Sequence, residues 1–360
     1  MFNFSRTYKL PFIYDIPNYI GAHLRKVPKY KRVIKFFKRY LIILFLRQKN
    51  LEVFSILLHH KNILWINISA PSLGDSLMDL SSRVMLANKN VDLFTSKKNA
   101  HIYSNDKIFN NVYIETDEVD KNFYDIAILD SYSSRSMRIK TKILPSTPFV
   151  GMFGFFNGPE VNRIFFSFHQ MNNLLGYVKT EKEITNIASN TITVSKEDEE
   201  LVSTIVPKKY LAITLGGEWN YKIYNHWGDL IEKIFENYGN IDIVLIGSKN
   251  AEMQVKEILE RFSDDKLINL VFKLTFNQTA EVIRNSQVLF CCDGGLMHAA
   301  NAVNAEVIVL LGRLLPEMLF TNDKSNALFD KEDVNNIKVE DVFKKYDSMF
   351  NSFDNRLQGE

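Results

Sequence analysis

Three loops in this 360-residue chain hold the side chains best suited to chemistry. The first, Pro71-Ser72-Leu73-Gly74-Asp75-Ser76-Leu77, follows an apolar run and opens a helical pattern. Asp75 could take a proton from an attacking hydroxyl as a general base; Asp75 or Ser76 could equally cap a helix N-terminus, a common role for both residue types. The second is Gly216-Gly217-Glu218-Trp219-Asn220-Tyr221-Lys222. Its paired glycines let backbone N–H groups come close to a ligand, and Lys222 could neutralise phosphate charge; a plain turn with a solvated lysine has the same composition. The third runs from Val288 through Cys291-Cys292-Asp293-Gly294-Gly295 to His298-Ala299-Ala300 and is the most specific. An apolar run passes straight into Asp-Gly-Gly and then a small-residue helix, whose unpaired N–H groups and positive dipole end suit an anion. His298 falls on the first turn of that helix, as a ligand contact or as a structural hydrogen-bonder.

Other chemistries lack their residues. There is no G-x-G-x-x-G, no G-x-x-x-x-G-K-[ST], no H-E-x-x-H and no G-x-S-x-G, so dehydrogenase, P-loop kinase, zincin and serine hydrolase readings are disfavoured. His59 and His60 are expected to diverge from adjacent positions on a helix, and no metal site is assigned to them. The only cysteines, Cys291 and Cys292, are neighbours, which makes a disulfide between them awkward and leaves no Cys/His zinc set. Free thiols favour a reducing, cytoplasmic compartment.

The elements that must position these loops alternate along the chain. Apolar runs at 63–68, 91–94, 125–130 and 149–153 read as strands, with a helix at 76–88 that puts Leu77, Leu80 and Val84 on one face. A second series, at 211–215, 241–246, 288–292 and 307–311, is separated by helical patterns such as Ala251, Val255, Ile258, Leu259 and Phe262. Continuous apolar strands suit parallel sheets buried on both faces. The expected fold is α/β, with doubly wound parallel-sheet domains at 63–187 and 188–323 and a helical segment at 324–360. Nothing in the sequence says on which domain the last amphipathic helix, with Val342 and Tyr346, packs. Ligands of such sheets bind outside the carboxyl ends of the strands, where the three loops lie.

Residues 1–62 stand apart. They hold 13 Lys and Arg against two acids, a net of +11, so the other 298 residues carry −9. Over 31–46 the apolar Val33, Phe37, Tyr40 and Leu44 recur at helical spacing, with Arg32, Lys35 and Arg39 on another side. Such a basic amphipathic helix could lie on an anionic membrane surface or pack on the body of the protein. No run reaches the roughly 20 apolar residues of a membrane span, and the N-terminus does not read as a signal peptide. Nucleic acid is not an expected partner, because most of the chain is acidic and no binding signature is present.

Taken together, Gly74-Asp75-Ser76-Leu77, then Asp293-Gly294-Gly295-Leu296-Met297-His298-Ala299-Ala300-Asn301-Ala302, then Glu306 to Gly312, resemble glycosyltransferase family 9, the ADP-heptose:lipopolysaccharide heptosyltransferases. The likeness covers about residues 63–320. It implies a GT-B architecture of two Rossmann-like domains preceded here by a basic extension. It further implies an inverting transfer that needs no metal or cofactor, with ADP-heptose as donor and a lipid-linked lipo-oligosaccharide core as acceptor. Asp75 would be the base. Gly216, Gly217, Lys222, Asp293, Gly294, Gly295 and His298 would hold the nucleotide sugar. Location would be cytoplasmic, peripheral on the inner face of the inner membrane through residues 1–62. Two positions depart from the family pattern: Lys222 lies five residues before Trp227 where the family lysine stands two before Trp-Pro, with Asn225 in its place and Gly228 for proline, and Gly294 replaces a frequent threonine. Another nucleotide sugar, a protein acceptor, or a catalytically silent membrane scaffold are the competing readings.

Overall fold

The apolar runs are each too short to be stable alone, and they gain stability by pairing. In the computed structural model, which describes residues 20, 28–156, 161–239, 241–262, 265–321 and 325–357, they form two sheets in which every strand pair is parallel. The chain divides into two compact units, Met1–Thr193 with Glu317–Thr321, and Val194–Pro316 with Asn322–Glu360.

In the first unit the strands are β1 (Asn62–Asn67), β2 (Asn90–Thr95), β3 (Phe109–Tyr113), β4 (Ile126–Leu129) and β5 (Phe149–Gly151), in the order β3-β2-β1-β4-β5. Its helices are α1 (Lys29–Phe45), α2 (Leu73–Asp79), α3 (Lys97–Ala100), α4 (Ser134–Ile143), α5 (Arg163–Leu174) and α6 (Glu181–Ile187). The central strands β1 and β4 are buried almost throughout, as helices on both faces of a parallel sheet require. Leu64, Ile66, Ala127, Leu129 and Phe149 share one core cluster with Met137 of α4 and Ile43 of α1.

The second unit holds α7 (Lys196–Ile205), β6 (Tyr210–Leu215), α8 (Trp227–Tyr238), β7 (Asp242–Gly247), α9 (Glu252–Arg261), β8 (Leu267–Asn269), α10 (Phe276–Asn285), β9 (Leu289–Cys292), α11 (Gly295–Ala302), β10 (Val307–Gly312), β11 (Ser325–Asp330) and α12 (Val339–Leu357). Its strand order is β11-β10-β9-β6-β7-β8. In both sheets the winding reverses beside the first strand, between β1 and β4 and between β6 and β9, and these are the two topological switch points.

The structure revises several expectations. The edge strands β3, β8 and β11 carry too few apolar residues to be read from the sequence. The helix expected at 76–88 ends at Asp79 and continues as a 3-10 turn over Ser81–Leu86. The Ser81 hydroxyl donates to the Met78 carbonyl, and the turn sends Arg83 inward to the Asp106 carboxylate at 2.6 Å. The units meet at Thr193/Val194 instead of 187/188. Residues 324–360 are no separate segment, because β11 extends the second sheet and Val342 and Tyr346 of α12 sit in that unit's core. Most of residues 1–27 lie outside the described residues, but α1 is part of the first unit. Its inward face is not the expected Val33/Phe37/Tyr40/Leu44 stripe. Phe36 and Ile43 are buried, and Arg39 turns inward to donate to the carbonyls of Gly154 and Phe156 at 2.8 and 2.9 Å. Two loop carbonyls, one of which also accepts the Tyr132 N–H at 3.1 Å, thus draw that face down, and burial lowers the Arg39 pKa to about 10. After the helix, Gln48 accepts a hydrogen bond from Lys140 of α4.

Candidate active site

In the first unit the loop after β1 is tied to the end of β4. The buried Asp130 carboxylate accepts the N–H groups of Ile68 and Ser69 at 2.9 and 2.6 Å, and the Ser136 hydroxyl at 2.6 Å. Burial pushes its pKa above the ordinary carboxylate value against the pull of these donors. With that loop fixed, Ser72 becomes the N-cap of α2: its hydroxyl accepts the Asp75 N–H at 3.2 Å and donates to Asp75 Oδ2 at 2.6 Å. Asp75 is therefore the third residue of the helix and not its cap, and Ser76 is buried against the Tyr103 hydroxyl at 2.9 Å.

Asp75 Oδ1 accepts from Arg163, the first residue of α5, at 2.5 Å, while the other guanidinium nitrogen reaches Asp79 Oδ1 at 2.5 Å. Asp75 and Asp79 stand four apart on α2, hence on one face, and a single guanidinium serves both. Arg163 is placed by Asn162, fully buried, whose Oδ1 caps α5 and whose Nδ2 donates to the carbonyls of Glu317 and Phe320, each at 2.9 Å. The Phe153 ring lies 5.6 Å from the guanidinium carbon. Desolvation opposes the Arg163 charge, but the two carboxylates outweigh it and hold the pKa above normal. Asp79 is the more buried acid, and burial raises its pKa to about 7 despite Arg163. Two acids on one cation thus differ in character: Asp75 is partly open to solvent, whereas Asp79 is nearly enclosed.

In the second unit, the loops after β6 and β9 flank the switch point and meet through Lys222 Nζ and Asp293 Oδ2 at 2.5 Å, a pair in which both side chains are largely buried. Lys222 ends a 3-10 turn over Asn220–Lys222. Asn225, where the family pattern has its lysine, is pinned by its backbone N–H to Asn335 Oδ1 at 2.8 Å. Gly216 and Gly217 serve the turn. Gly216 has φ +80°, and a Cβ there would lie 2.7 Å from Asn250 Oδ1; one on Gly217 would lie 2.9 Å from Ile223 Cγ1. The Gly216 N–H is donated to Gln254 Oε1 at 2.7 Å, so that amide is engaged within the protein.

Gly294 caps α11 in extended conformation, with open space where a Cβ would be, and Gly295 starts the helix. Asp293 and His298 are both buried. Next to Lys222, the Tyr221 ring lies under the guanidinium of Arg313, 3.9 Å away, at the end of β10. Arg163, Asp79, Asp130 and Arg313 carried no linear motif; only the four-residue spacing of Asp75 and Asp79 hinted at a shared partner.

Cys291 and Cys292 are free and buried in β9, where burial raises both thiols, Cys292 to about 12. His59 and His60 sit on a turn instead of a helix, and their rings meet edge-on at 4.4 Å. The Leu57 N–H donates to His60 Nδ1, which closes that turn. Among the described residues no three His, Cys, Asp or Glu side chains gather as a metal site would need.

Comparison with solved structures places this architecture. A glycosyltransferase family 9 protein from Veillonella parvula is 14% identical, with TM-score 0.65 over 82% of this chain and 98% of its own. E. coli heptosyltransferase WaaC with ADP is 17% identical, with TM-score 0.61 over 80% and 99%. E. coli ADP-heptose lipopolysaccharide heptosyltransferase II is 16% identical, with TM-score 0.60 over 81% and 99%. No curated protein matches. Two parallel sheets flanked by helices, with these neighbours, define the GT-B fold. The sequence model of glycosyltransferase family 9 (heptosyltransferase) matches residues 156–346, and the chain belongs to that family. The matched segment contains Lys222, Asp293 and His298; Asp75 precedes it.

Proposed function

We propose that the protein transfers heptose from ADP-heptose to a lipid-linked lipo-oligosaccharide core, with inversion and without a metal. The Lys222–Asp293 pair at the switch point of the second sheet carries this reading. The Lys222 ammonium is held as an ion pair 2.5 Å from the buried Asp293 Oδ2, which fixes its direction, and an ammonium with three donors can offer N–H groups to diphosphate oxygens. The N–H groups at the start of α11, with Gly294 and Gly295, add a second anion-binding element, and His298 faces the same role. Its fold neighbour WaaC was solved with ADP, which suits that assignment.

In the reaction the acceptor oxygen forms a bond to the anomeric carbon as the bond to the diphosphate breaks, and ADP leaves. The acceptor proton passes to Asp75, then to solvent. One displacement with one base on the acceptor side inverts the anomeric centre, and a positioned base contributes about 10² to 10⁴ in rate. The leaving charge is met by Lys222 and helix N–H groups, the work a metal would otherwise do. Arg163 keeps Asp75 oriented until the acceptor hydroxyl replaces one of its contacts. The protein works on the cytoplasmic face of the inner membrane as a peripheral protein.

The test is a panel of nucleotide sugars offered to the purified protein with a truncated lipopolysaccharide acceptor, read by mass spectrometry. Transfer of heptose from ADP-heptose alone is expected. Transfer from a different donor would overturn the donor assignment, and stabilisation by ADP with no product from any donor would favour a silent scaffold.

A further inference from the structure

Helix α1 has two apolar faces, and among the described residues one of them is buried in the first unit while the other is exposed. Phe36 and Ile43 are buried, and the Phe36 ring lies 4.6 Å from Phe155. On the opposite side Tyr30, Ile34, Leu41 and Leu44 follow one another at three-, four- and seven-residue spacings, with Phe45 beside them. Their exposures are 61, 63, 60, 43 and 87%. A 17-residue helix is about 25 Å long, so these side chains make a stripe along nearly its whole length. Lys31 and Lys38 are exposed along one border of the stripe, and Arg47 is exposed just past the helix end. The helix contains six Lys and Arg and no acid. Among the described residues no helix is long and apolar enough to cross a membrane.

We infer that this face of α1 docks on an anionic lipid bilayer, with Ile34, Leu41, Leu44 and Phe45 entering the headgroup–acyl boundary and Lys31 and Lys38 meeting lipid phosphates. Charge complementarity selects the partner: large apolar side chains bordered by lysines, with no carboxylate on the helix, match a surface apolar below and negative above. Position supports it. Arg39 of the same helix holds the Gly154 and Phe156 carbonyls in the loop after β5, the segment that precedes α5 and Arg163. The docked face and the residue holding Asp75 are thus both anchored to one stretch of chain in the first unit, so a lipid-linked acceptor would be presented near the base. The inference rests on the proposed lipid-linked acceptor only for that benefit; docking itself stands on the helix surface.

The experiment is flotation of the full chain with vesicles of phosphatidylglycerol and phosphatidylethanolamine, and with phosphatidylcholine alone, at low and high salt. ADP-induced thermal stabilisation is measured alongside. The wild type should float with the anionic vesicles, weakly with phosphatidylcholine, and less at high salt. Leu41→Ser with Phe45→Ser should reduce binding at least tenfold, and Lys31→Gln with Lys38→Gln about fivefold per lysine, with ADP stabilisation and melting temperature unchanged. Equal flotation of wild type and variants would overturn the inference. So would a change in oligomeric state, which would make a second copy the occupant of the stripe. A fall of several degrees in the melting temperature of the apolar variant would overturn it too, by showing that the stripe is covered within the chain. None of these outcomes depends on heptose transfer, so a failed donor assignment and a failed docking surface are told apart.

Discussion

Arg163 and Asp75 are 88 positions apart in the chain and joined by an ion pair of 2.5 Å, and the same guanidinium holds Asp79. Placing one cation between an accessible and an enclosed carboxylate keeps the accessible one oriented without removing it from solvent. Asp75→Asn preserves the Ser72 contact but cannot accept a proton from an acceptor hydroxyl. Product formation is expected to fall by about 10² to 10⁴ while ADP still binds. Turnover near wild type, measured with the same acceptor, would remove Asp75 from the reaction.

Arg163→Met leaves two carboxylates without their cation, one of them buried. Breaking one side of a buried pair costs about 3 to 5 kcal/mol, so the variant should melt well below wild type. Arg163→Lys, which keeps charge but cannot fork, should recover part of that stability and less of the transfer rate. Equal recovery of both would mean that orientation of Asp75 is unimportant.

The pH dependence of stability follows from Asp79. Its pKa is about 7 in the folded protein, raised first by burial, against an ordinary value of 3.8 for the free side chain. Between these values the folded state holds a proton that the unfolded chain has lost, so this group's contribution to stability falls as pH rises from about 4 to 7 and levels off above. Denaturation midpoints of wild type and Asp79→Asn at pH 5 and pH 8 should show a smaller drop in the variant. An identical drop would place the titration elsewhere.

Lys222 and Asp293 form a coupled unit. Lys222→Met should weaken ADP binding at least tenfold, and Asp293→Asn should also weaken it by freeing the lysine. The double variant should lose less than the two single losses combined, with a coupling of about 0.5 to 3 kcal/mol. Calorimetric titration of all four proteins measures it, and simple additivity would show that the ion pair does not position the lysine for the nucleotide.

The glycines should separate sharply. Gly216→Ala meets both a left-handed φ of +80° and the Asn250 side chain at 2.7 Å, and should cost more than about 1 kcal/mol. Gly294→Thr enters open space at an extended position. It restores a hydroxyl at a helix N-cap, where Thr and Gly are comparably tolerated, and should leave the melting temperature nearly unchanged. A large loss there would mean that the space is needed.

The buried central strands were readable from composition because a parallel strand covered on both faces must be apolar along its length, as in Ile63-Leu64-Trp65-Ile66 and Val307-Ile308-Val309-Leu310. The loops after β1, β6 and β9 were readable for the same reason, since Asp75, Lys222 and Asp293 stand out where apolar runs stop. The edge strand Phe109–Tyr113 escaped because only one neighbour pairs with it and two exposed asparagines, Asn110 and Asn111, interrupt its apolar residues. The outward stripe of α1 escaped because helical periodicity finds apolar faces without saying which the body will cover; the Arg39 contacts with two carbonyls decided that. Residue types and their order along the chain therefore settled the α/β class and the family. Which carboxylate shares Arg163, how Lys222 reaches Asp293, and which side of α1 packs on the first unit were settled by folding, because contacts between residues as many as 158 positions apart depend on how the strands pair and leave no spacing to read.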